Sequence, residues 1–505
     1  MNLDVLDAST SNVLLKYTIS VFQQDYNKEM QMKKLLLLIS VIALSASAFA
    51  QSETEMKTSA QLRMRYWNIL DQYGTTGAMN GSEGYVDQRG MLTTTMRKGE
   101  RLGAQVTLIQ NTRWGNALAN SNNYNAYNNL PTGGTANSTM ATPNGIGDAS
   151  NMLLVNEFWG WWKASDSLTL RLGRGGYTIA DGSAVSRSDW NMVPYSFDGA
   201  MAQWDTEPLT ANFFIVTLEQ LGRGAAAPAG TINLNDPETN IYGVSLDAKN
   251  LPGWLSVGNL DLLDLSGAQS GTNVATLGKN VQHIGISAKG MSNNVDYHLD
   301  AAYQMGKLTD AGTNIDYSAN MFDAQVGYMV PDAMKLHVFL NYHMDSGDND
   351  ANTITGANPA GADNKWGRYD SLFYDAHKFS GMMNMLAWGN LSYFKIGAGV
   401  TPMDGTKVCL QYLSFSRSNK NDDITPGDMG RVAFSKFIGD ATHYAASATS
   451  IGSELDLNIS HKLDNGFKAQ LLAGAFMPGS YLKAATNSPV NSTITQVMLG
   501  GTMNF

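Results

Sequence analysis

From residue 51 onward, segments of about ten residues alternate between apolar and polar side chains, and clusters of Gly, Asn, Asp and Ser separate them. A β-strand places successive side chains on opposite faces, so each segment has one apolar and one polar face. In the first segment the apolar face carries Leu62, Met64 and Tyr66, and the polar face carries Gln61, Arg63, Arg65 and Trp67. The pattern recurs around residues 295–304, 335–345 and 454–460 and predicts an all-β, antiparallel protein.

Two all-β architectures fit this alternation. In a soluble β-sandwich the apolar face is the core and the polar face meets water, whereas in a transmembrane barrel the apolar face meets lipid. The last segment favours the barrel, because Val497, Leu499, Gly501 and Met503 share a face with the terminal Phe505. A final strand ending in Phe resembles the assembly signal of bacterial outer-membrane barrels. We therefore expect the barrel-assembly machinery to recognise Phe505.

The amino-acid composition excludes several classes of protein. Charged residues make up 15% of the chain, below the roughly 25% of an average globular protein. The net charge of −10 argues against nucleic acid or anionic lipid headgroups as the main partner. The single cysteine, Cys409, excludes an intrachain disulfide and a CxxC motif. No run of about 18 apolar residues follows residue 50, so the sequence predicts no helical membrane span, while a β-barrel needs no such run.

The amino-terminal part has the features of a targeting segment. Residues 32–50, MKKLLLLISVIALSASAFA, combine two lysines, a short apolar core and a small-residue end. This pattern predicts a cleaved secretory signal peptide, with the mature chain starting at Gln51. Residues 1–31 lack export features, so we interpret them as a mis-assigned start and Met32 as the initiator. Residues 51–505 are then one β-barrel domain.

Long polar stretches lie between some of the predicted strands. They cover residues 116–150, 222–238, 346–367, 416–444 and 484–492. Short turns at one end and long loops at the other are typical of outer-membrane barrels. The chain length predicts an even number of strands, between 16 and 18, and we expect about 18. A barrel of that width leaves a polar lumen.

Aromatic residues near the predicted strand ends are candidates for the girdles that such barrels place at the two bilayer interfaces. Ordinary packing in a core is the alternative role for each of them. The candidates are Tyr66, Trp67, Trp159, Trp161, Trp162, Tyr328 and Tyr393.

Three stretches carry a family resemblance. Residues 168–204 contain GR, W and FDGA elements, residues 342–391 contain SGD, LFYDAHKFSGMM and WGNL, and residues 451–479 contain GSELDL and PG. In this order they resemble the alginate export family of outer-membrane porins. The resemblance implies an 18-stranded barrel in the bacterial outer membrane that passes a polyanionic or related carbohydrate by passive diffusion.

The same resemblance implies a pore lined by arginine, because a carboxylate polymer needs a field of opposite sign. The basic candidates for pore lining are Arg63, Arg65, Arg89, Arg97, Arg113 and Arg171. The acidic candidates on predicted lumen faces are Glu157, Asp296, Asp300, Asp323, Glu454 and Asp456. Inward charges can also stabilise a large barrel without selecting a solute, and the mixed signs leave the identity of the solute open. Arg174 alternates in step with the apolar residues of its segment, so we assign it to a strand end or a turn and not to the constriction.

A metal site is a weaker prediction. Asp345, Asp348 and Asp350 are closely spaced on a Gly-containing loop, which suits calcium. The EF-hand pattern is absent, however, and a solvated loop explains the same residues. We expect no cofactor.

Two other functions stay open alongside the passive channel. A barrel-fold hydrolase could use histidines at polar positions, but the sequence contains no GxSxG nucleophile elbow. A surface anchor or adhesin could use the long loops while its lumen stays closed. The sequence favours the channel, for saccharides or small hydrophilic solutes, over an enzyme or an anchor.

Overall fold

The computed structural model describes residues 54–70, 83–114, 152–219, 239–271, 274–310, 313–331, 334–349, 365–427, 447–463, 465–484 and 489–505. The predicted signal peptide and the segment before it lie outside these residues. Most of the described residues lie in β-strands, as the alternating polarity predicts.

Nineteen strands form one continuous sheet. The first ten are β1 (Thr54–Leu70), β2 (Glu83–Lys98), β3 (Leu102–Arg113), β4 (Met152–Lys163), β5 (Leu168–Gly175), β6 (Phe197–Asp205), β7 (Leu209–Glu219), β8 (Thr239–Ala248), β9 (Leu255–Gly271) and β10 (Val274–Ser292). The others are β11 (Val295–Asp310), β12 (Thr313–Met329), β13 (His337–Asp345), β14 (Lys365–Trp366), β15 (Ser392–Val400), β16 (Thr406–Ser416), β17 (Ser450–Lys462), β18 (Phe467–Pro478) and β19 (Ile494–Asn504).

The sheet closes on itself, because β1 pairs antiparallel with both β2 and β19. The two-residue strand β14 pairs parallel with β12, while β13 pairs directly with β15 and so bypasses it. Without β14, eighteen antiparallel strands of the nineteen form the barrel wall. This confirms the predicted transmembrane-type barrel of about 18 strands.

Connections differ in length between the two ends of the barrel. At one end the strands are joined by turns of two to seven residues, such as the Asn293–Asn294 turn between β10 and β11. Both asparagines have positive φ, 49° and 65°, which is the two-residue hairpin geometry that matches strand twist. At the other end most connections are long, including residues 176–196 and 346–391. We call these two segments the β5–β6 loop and the β13–β15 loop.

The two faces of the wall differ in polarity. Large apolar side chains point outward and stay exposed, with Leu172 71% and Phe394 59% exposed. Charged side chains on the inner face are buried, with Asp300 1% and Glu454 0% exposed. A soluble protein does not leave so extensive an apolar belt in water, whereas a lipid bilayer accommodates it.

The aromatic girdle prediction stays a prediction for three candidates and is wrong for four. Tyr66, Trp162 and Tyr328 point outward and are 42–54% exposed. Trp67 and Tyr393 point inward and are buried, at 6% and 1%. Trp159 and Trp161 also face inward, where arginine side chains lie over their rings. Trp161 and Trp162 are adjacent, so strand geometry sends them to opposite faces.

The main hydrophobic core lies inside the barrel, between the wall and the inward-folded β13–β15 loop. Trp388, Phe379, Met383 and Leu386 of that loop are at most 4% exposed. They pack with inner-wall residues such as Tyr393. The loop therefore occupies part of the lumen.

The described helices are short. A 3-10 helix spans Ala180–Gly182 in the β5–β6 loop, and α1 spans Ala376–Phe379 in the β13–β15 loop. The Asp375 carboxylate caps α1 by accepting from the backbone N–H of Lys378. Within the part of the chain that the structure describes, no helix is long and apolar enough to cross a membrane.

Candidate pore constriction

Arginines on the inner face of β1 and β2 hold the β5–β6 loop inside the barrel. Arg63 donates to the backbone carbonyls of Asp189 and Asn191 at 2.8 Å each. Arg89 donates to the same two carbonyls at 3.1 and 3.0 Å. Both side chains are buried, at 9% and 0% exposed. The structure thus shows these two predicted pore-lining residues bonded to the loop.

Arg65 joins this loop to an acidic partner on the wall. Its guanidinium makes two hydrogen bonds to Asp87, at 3.0 and 3.2 Å, and a third to the carbonyl of Trp190 at 2.8 Å. Trp67 Nε1 also donates to Asp87, at 2.8 Å. Two parallel hydrogen bonds between a guanidinium and a carboxylate fix the orientation of the arginine side chain as well as its position. The indole of Trp190 is consequently held over the lumen.

Carboxylates on β17, three strands from β1 around the wall, hold the β13–β15 loop. Glu454 accepts from the N–H of Met383 at 3.0 Å, and Asp456 accepts from the N–H of Met382 at 3.2 Å. Gly381 has a φ of +108°, and a Cβ at this position would lie 2.5 Å from Glu454 Oε1. Only glycine fits here, so the loop backbone lies directly on the carboxylate.

A second anchor of the β13–β15 loop is Asp345, at the end of β13. It accepts from the N–H groups of Gly389 and Leu391, both at 2.9 Å. His343 contacts Asp345 at 3.0 Å through Nε2, and its ring stacks on Trp388 with centroids 4.5 Å apart. Buried polar groups of this kind require partners, and here the partners fix the end of the loop.

These contacts also bear on the calcium candidates. Asp345 is bonded to loop N–H groups, and Asp348 Oδ2 accepts from the N–H of Gly367 at 2.9 Å. Asp350 lies outside the described residues. The two described carboxylates thus anchor the loop, and calcium binding stays a prediction.

The two loops meet inside the barrel and form what we call the constriction layer, residues 176–196 and 365–391. The rings of Trp190 and His377 stack with centroids 3.6 Å apart and planes 4° from parallel. Lys378 Nζ donates to the Asp181 carboxylate at 2.8 Å. A β-bridge joins Val185 to Phe373. The layer therefore connects β1 and β2 to β13 and β17 across the lumen.

The pKa values of His377 and Asp181 are shifted by the packing of the constriction layer. Burial against Trp190, with the cation of Arg65 nearby, lowers the pKa of His377 to about 3. The ring is therefore neutral at pH 7 where it stacks. Burial raises the pKa of Asp181, but the hydrogen bond from Lys378 and the charges of Lys378 and Lys289 outweigh it and hold that pKa below its usual value.

Charges of both signs remain accessible along the edge of the layer. The side chain of Asp189 is 57% exposed, and that of Lys289 is 50% exposed. Arg187, 33% exposed, pairs with Glu157 at 2.9 Å. Lys378 is 41% exposed. A solute passing this edge meets a mixed electrostatic surface, as the sequence suggests.

A second feature lies on the inner wall nearer the short turns, and we call it the Arg–Trp row: Arg97, Trp159, Trp161 and Arg171. The guanidinium of Arg97 lies 6.0 Å from the Trp161 ring centroid, and that of Arg171 lies 4.9 Å from the Trp159 centroid. The two indoles are 5.4 Å apart. Strand register produces the row, because Gly103 of β3 pairs with both Arg97 and Trp161, and Trp161 pairs with Arg171.

Gly103 makes room for the row. A Cβ at this position would lie 1.9 Å from the Trp161 ring. The glycine therefore lets the indole lie flat across β3, towards Arg97. None of the four side chains in the row is buried.

The remaining predicted site residues lie elsewhere on the barrel. Asp296 pairs with His337 at 2.6 Å and Asp300 with His298 at 2.8 Å, both on the inner wall. The side chain of Arg113 lies outside the described residues. Arg174 forms an ion pair with Asp198 at the loop end of β5, as predicted for a strand end, and both side chains are exposed.

The sequence placed Trp159 and Trp161 in the interfacial girdle and predicted neither the row nor the Trp190–His377 stack. The adjacent Trp161–Trp162 pair is a signal for the row, because only one of two neighbouring strand residues can face lipid. The stack has no local signal, since its partners lie on separate loops.

A closed antiparallel barrel with an apolar outer belt, a polar inner wall and inward loops defines the class of outer-membrane porin-like barrels. The sequence profile for alginate export matches residues 56–496, and the chain belongs to that family. A search of curated protein sequences gave no match.

Solved structures support the fold. The chain is similar to OpdQ of Pseudomonas aeruginosa, with 13% identity, a TM-score of 0.51, and coverage of 89% of this chain and 97% of that one. It is also similar to OccK3 (OpdO) of Pseudomonas aeruginosa, with 10% identity, a TM-score of 0.51, and coverage of 89% and 96%. A BenF-like porin from Pseudomonas fluorescens Pf-5 has 9% identity, a TM-score of 0.51, and coverage of 90% and 100%.

Proposed function

We propose that this protein is a passive channel in a bacterial outer membrane and that its preferred solutes are acidic oligo- or polysaccharides. The long loops face the cell exterior and the short turns face the periplasm, as in other barrels of this class. Solute crosses beside the constriction layer without energy input. Membership of the alginate export family supports a carboxylated sugar as the solute class.

The Arg–Trp row is the observation that carries the proposal. A guanidinium binds a carboxylate through two parallel hydrogen bonds. An exposed indole presents a flat apolar face, on which the C–H face of a sugar ring can lie. Arg97 and Arg171 flank two such indoles, 5.4 Å apart, so the row has the chemistry for successive acidic sugar units.

The charges at the constriction layer limit how strongly the channel can prefer anionic solutes. Asp181 pairs with Lys378 and Lys289, and Asp189 pairs with Arg89, so the layer presents no uniform positive field. Selection then depends on direct contact with the row more than on long-range attraction. We therefore expect modest anion selectivity for small ions together with a clear interaction with acidic oligosaccharides.

The test is block of single-channel current by oligo-uronate. The purified protein is inserted in a planar bilayer and the blocking constant is compared with that of the double variant Arg97→Ser, Arg171→Ser. We expect the double variant to bind oligo-uronate about tenfold more weakly, because both bidentate contacts are lost. A neutral oligosaccharide of the same length serves as the reference solute.

Arg174→Ser is the matched control. It removes an arginine of the same strand as Arg171, but one that is paired with Asp198 at the loop end. This control should keep wild-type block. Equal block in all three proteins would contradict the role of the row, and stronger block by the neutral sugar would exclude the acidic solute class.

The alternative functions make different predictions in the same apparatus. A surface anchor inserts and never conducts. A hydrolase shortens the oligo-uronate during the recording, which product analysis detects. Either outcome would overturn the channel proposal.

A further inference from the structure

Two buried carboxylates face each other in the inner wall. Asp300 of β11 and Asp323 of β12 are direct cross-strand partners, and each is 1% exposed. Like charges directly opposite in a sheet destabilise it, and burial increases the cost because water no longer screens them. A positive ion bound between the two carboxylates would remove that cost.

Asp300 also lacks hydrogen bonds. Neither carboxylate oxygen accepts one, and Nε2 of the neighbouring His298 makes none either. Asp300 Oδ2 and His298 Nε2 are 2.8 Å apart, yet their orientation is not that of a hydrogen bond. A nitrogen and an oxygen that lie this close without a hydrogen bond have the arrangement of two neighbouring ligands of one metal ion.

Asp323 completes the group. One ligand atom each from His298, Asp300 and Asp323 lie within 4.8 Å of one another. Asp323 is oriented by Asn341 at 2.8 Å and by His343 at 3.2 Å. Metal-binding carboxylates are commonly held by such outer hydrogen bonds.

The nearby lysine is directed elsewhere. Lys395 Nζ donates to the carbonyl of Phe379 at 3.1 Å. The Phe379 ring lies over His298, with centroids 6.1 Å apart, and so covers the group from the lumen side. The carboxylates therefore face each other beneath α1 of the constriction layer.

We propose that His298, Asp300 and Asp323 bind one divalent transition-metal ion of the zinc class. One imidazole and two carboxylates suit Zn²⁺ and leave a position for water. The ion neutralises the opposed carboxylates and links β11 to β12 beneath α1. This inference does not depend on which solute the channel passes.

The experiment is metal binding by the untagged protein in detergent after treatment with a chelator. Zn²⁺ is titrated by calorimetry, and bound metal is counted after equilibrium dialysis. We expect one Zn²⁺ per barrel. Asp300→Asn keeps the shape of the side chain and removes its charge, so we expect it to bind at least tenfold more weakly.

Asp296→Asn is the matched control. Asp296 lies on the same strand and also contacts a histidine, His337, at 2.6 Å, but it has no second carboxylate partner in the group. This variant should bind Zn²⁺ as the wild type does. Folding of every variant is checked by the heat-dependent shift in electrophoretic mobility, and His298→Gln replaces Asp300→Asn if the latter does not fold.

Two results would overturn the proposal. Wild-type protein that takes up no Zn²⁺ beyond the level of Asp300→Asn would show that these three side chains do not form a metal site. Equal loss of binding in Asp296→Asn and Asp300→Asn would show only adventitious metal on the histidines of the lumen.

Discussion

At the scale of single residues, Gly103 determines whether the Arg–Trp row can form. The Trp161 ring occupies the space that a side chain at this position would need, since a Cβ there would lie 1.9 Å from the ring. Gly160, on the neighbouring strand, is different, because a Cβ there would meet only the Gly103 carbonyl at 3.5 Å. The two glycines thus form a matched pair for substitution.

We predict that Gly103→Ala displaces the Trp161 indole and that Gly160→Ala does not. Forcing a methyl into a filled space costs about 1–3 kcal/mol. Gly103→Ala should therefore lower folding stability by that amount and weaken oligo-uronate block, with a change in near-UV circular dichroism. Loss of block in Gly160→Ala, or its retention in Gly103→Ala, would contradict this account of the row.

Sequence alone predicts which wall residues share a face, but not what each polar residue contacts. Arg63 was predicted to face the lumen, and its inward position follows from the two-residue period. Its partner, the carbonyl of Asp189, is 126 residues away in the chain. No local sequence pattern predicts such a distant contact. Only the structure shows whether an inward arginine binds a loop or faces the solute.

At the scale of elements, the constriction layer depends on a neutral histidine. The His377 ring stacks on Trp190, and burial with the Arg65 charge lowers its pKa from the ordinary 6.5 to about 3. The docked layer therefore binds fewer protons than a layer whose histidine is free in water. By linkage, the docked arrangement loses stability as the pH falls between about 6.5 and 3.

We predict that acidification from pH 7 to pH 4 loosens the layer. Each pH unit below 6.5 favours the undocked state by up to about tenfold. Single-channel recordings should show more frequent and larger fluctuations at pH 4. The other charged groups near the ring are Arg63 and Arg65 on β1 and Asp375 and Lys378 beside it. Burial raises the pKa of the Asp375 carboxyl, so this group also contributes to the response.

His377→Phe isolates the contribution of the histidine. Phenylalanine keeps a flat ring against Trp190 and cannot be protonated. This variant should lose most of the pH dependence of the fluctuations while keeping wild-type conductance at pH 7. An unchanged pH dependence would assign the effect to the carboxylates of the lumen instead.

The last strand, β19, carries a separate prediction for Phe505. The backbone of Phe505 pairs with Ala60 at 2.8 and 3.1 Å, while its side chain is 74% exposed. The ring therefore contributes little to the folded barrel. We predict that Phe505→Ala refolds in detergent with wild-type stability but reaches the outer membrane of cells in several-fold lower amount.

Phe505→Tyr is the control for that experiment, since it keeps an aromatic terminus and should assemble as the wild type does. Quantitative immunoblotting of outer-membrane fractions measures both variants. Equal amounts of Phe505→Ala and wild-type protein would show that the terminal ring is not an assembly signal.

At the scale of the whole molecule, the sequence predicts the barrel well because every wall strand obeys the same rule. Alternation predicts the two faces, and the chain length predicts the strand number. The exposed apolar belt of the structure then distinguishes the barrel from a sandwich. The interior is not predicted, because it forms from two loops that contact each other and the wall over long chain separations. The Trp190–His377 stack and the hydrogen bonds of Glu454 to the β13–β15 loop exist only once the barrel has closed.

The closed barrel also brings buried charges of opposite sign together. Arg65 pairs with Asp87, Arg368 with Asp422, and Arg187 with Glu157. Each pair joins a loop or strand to another part of the interior. Buried pairs of this kind add positional specificity more than net stability. The molecule is thus a closed wall whose inward loops present charges of both signs.

The most direct test of the channel account is the single-channel conductance of the protein in a planar bilayer under a salt gradient. Insertion is confirmed independently by the heat-dependent mobility shift of the same preparation. We expect stepwise, ohmic conductance, with a reversal potential that indicates a modest preference for anions. Folded protein that inserts and never conducts would contradict the channel account and would favour a closed surface anchor.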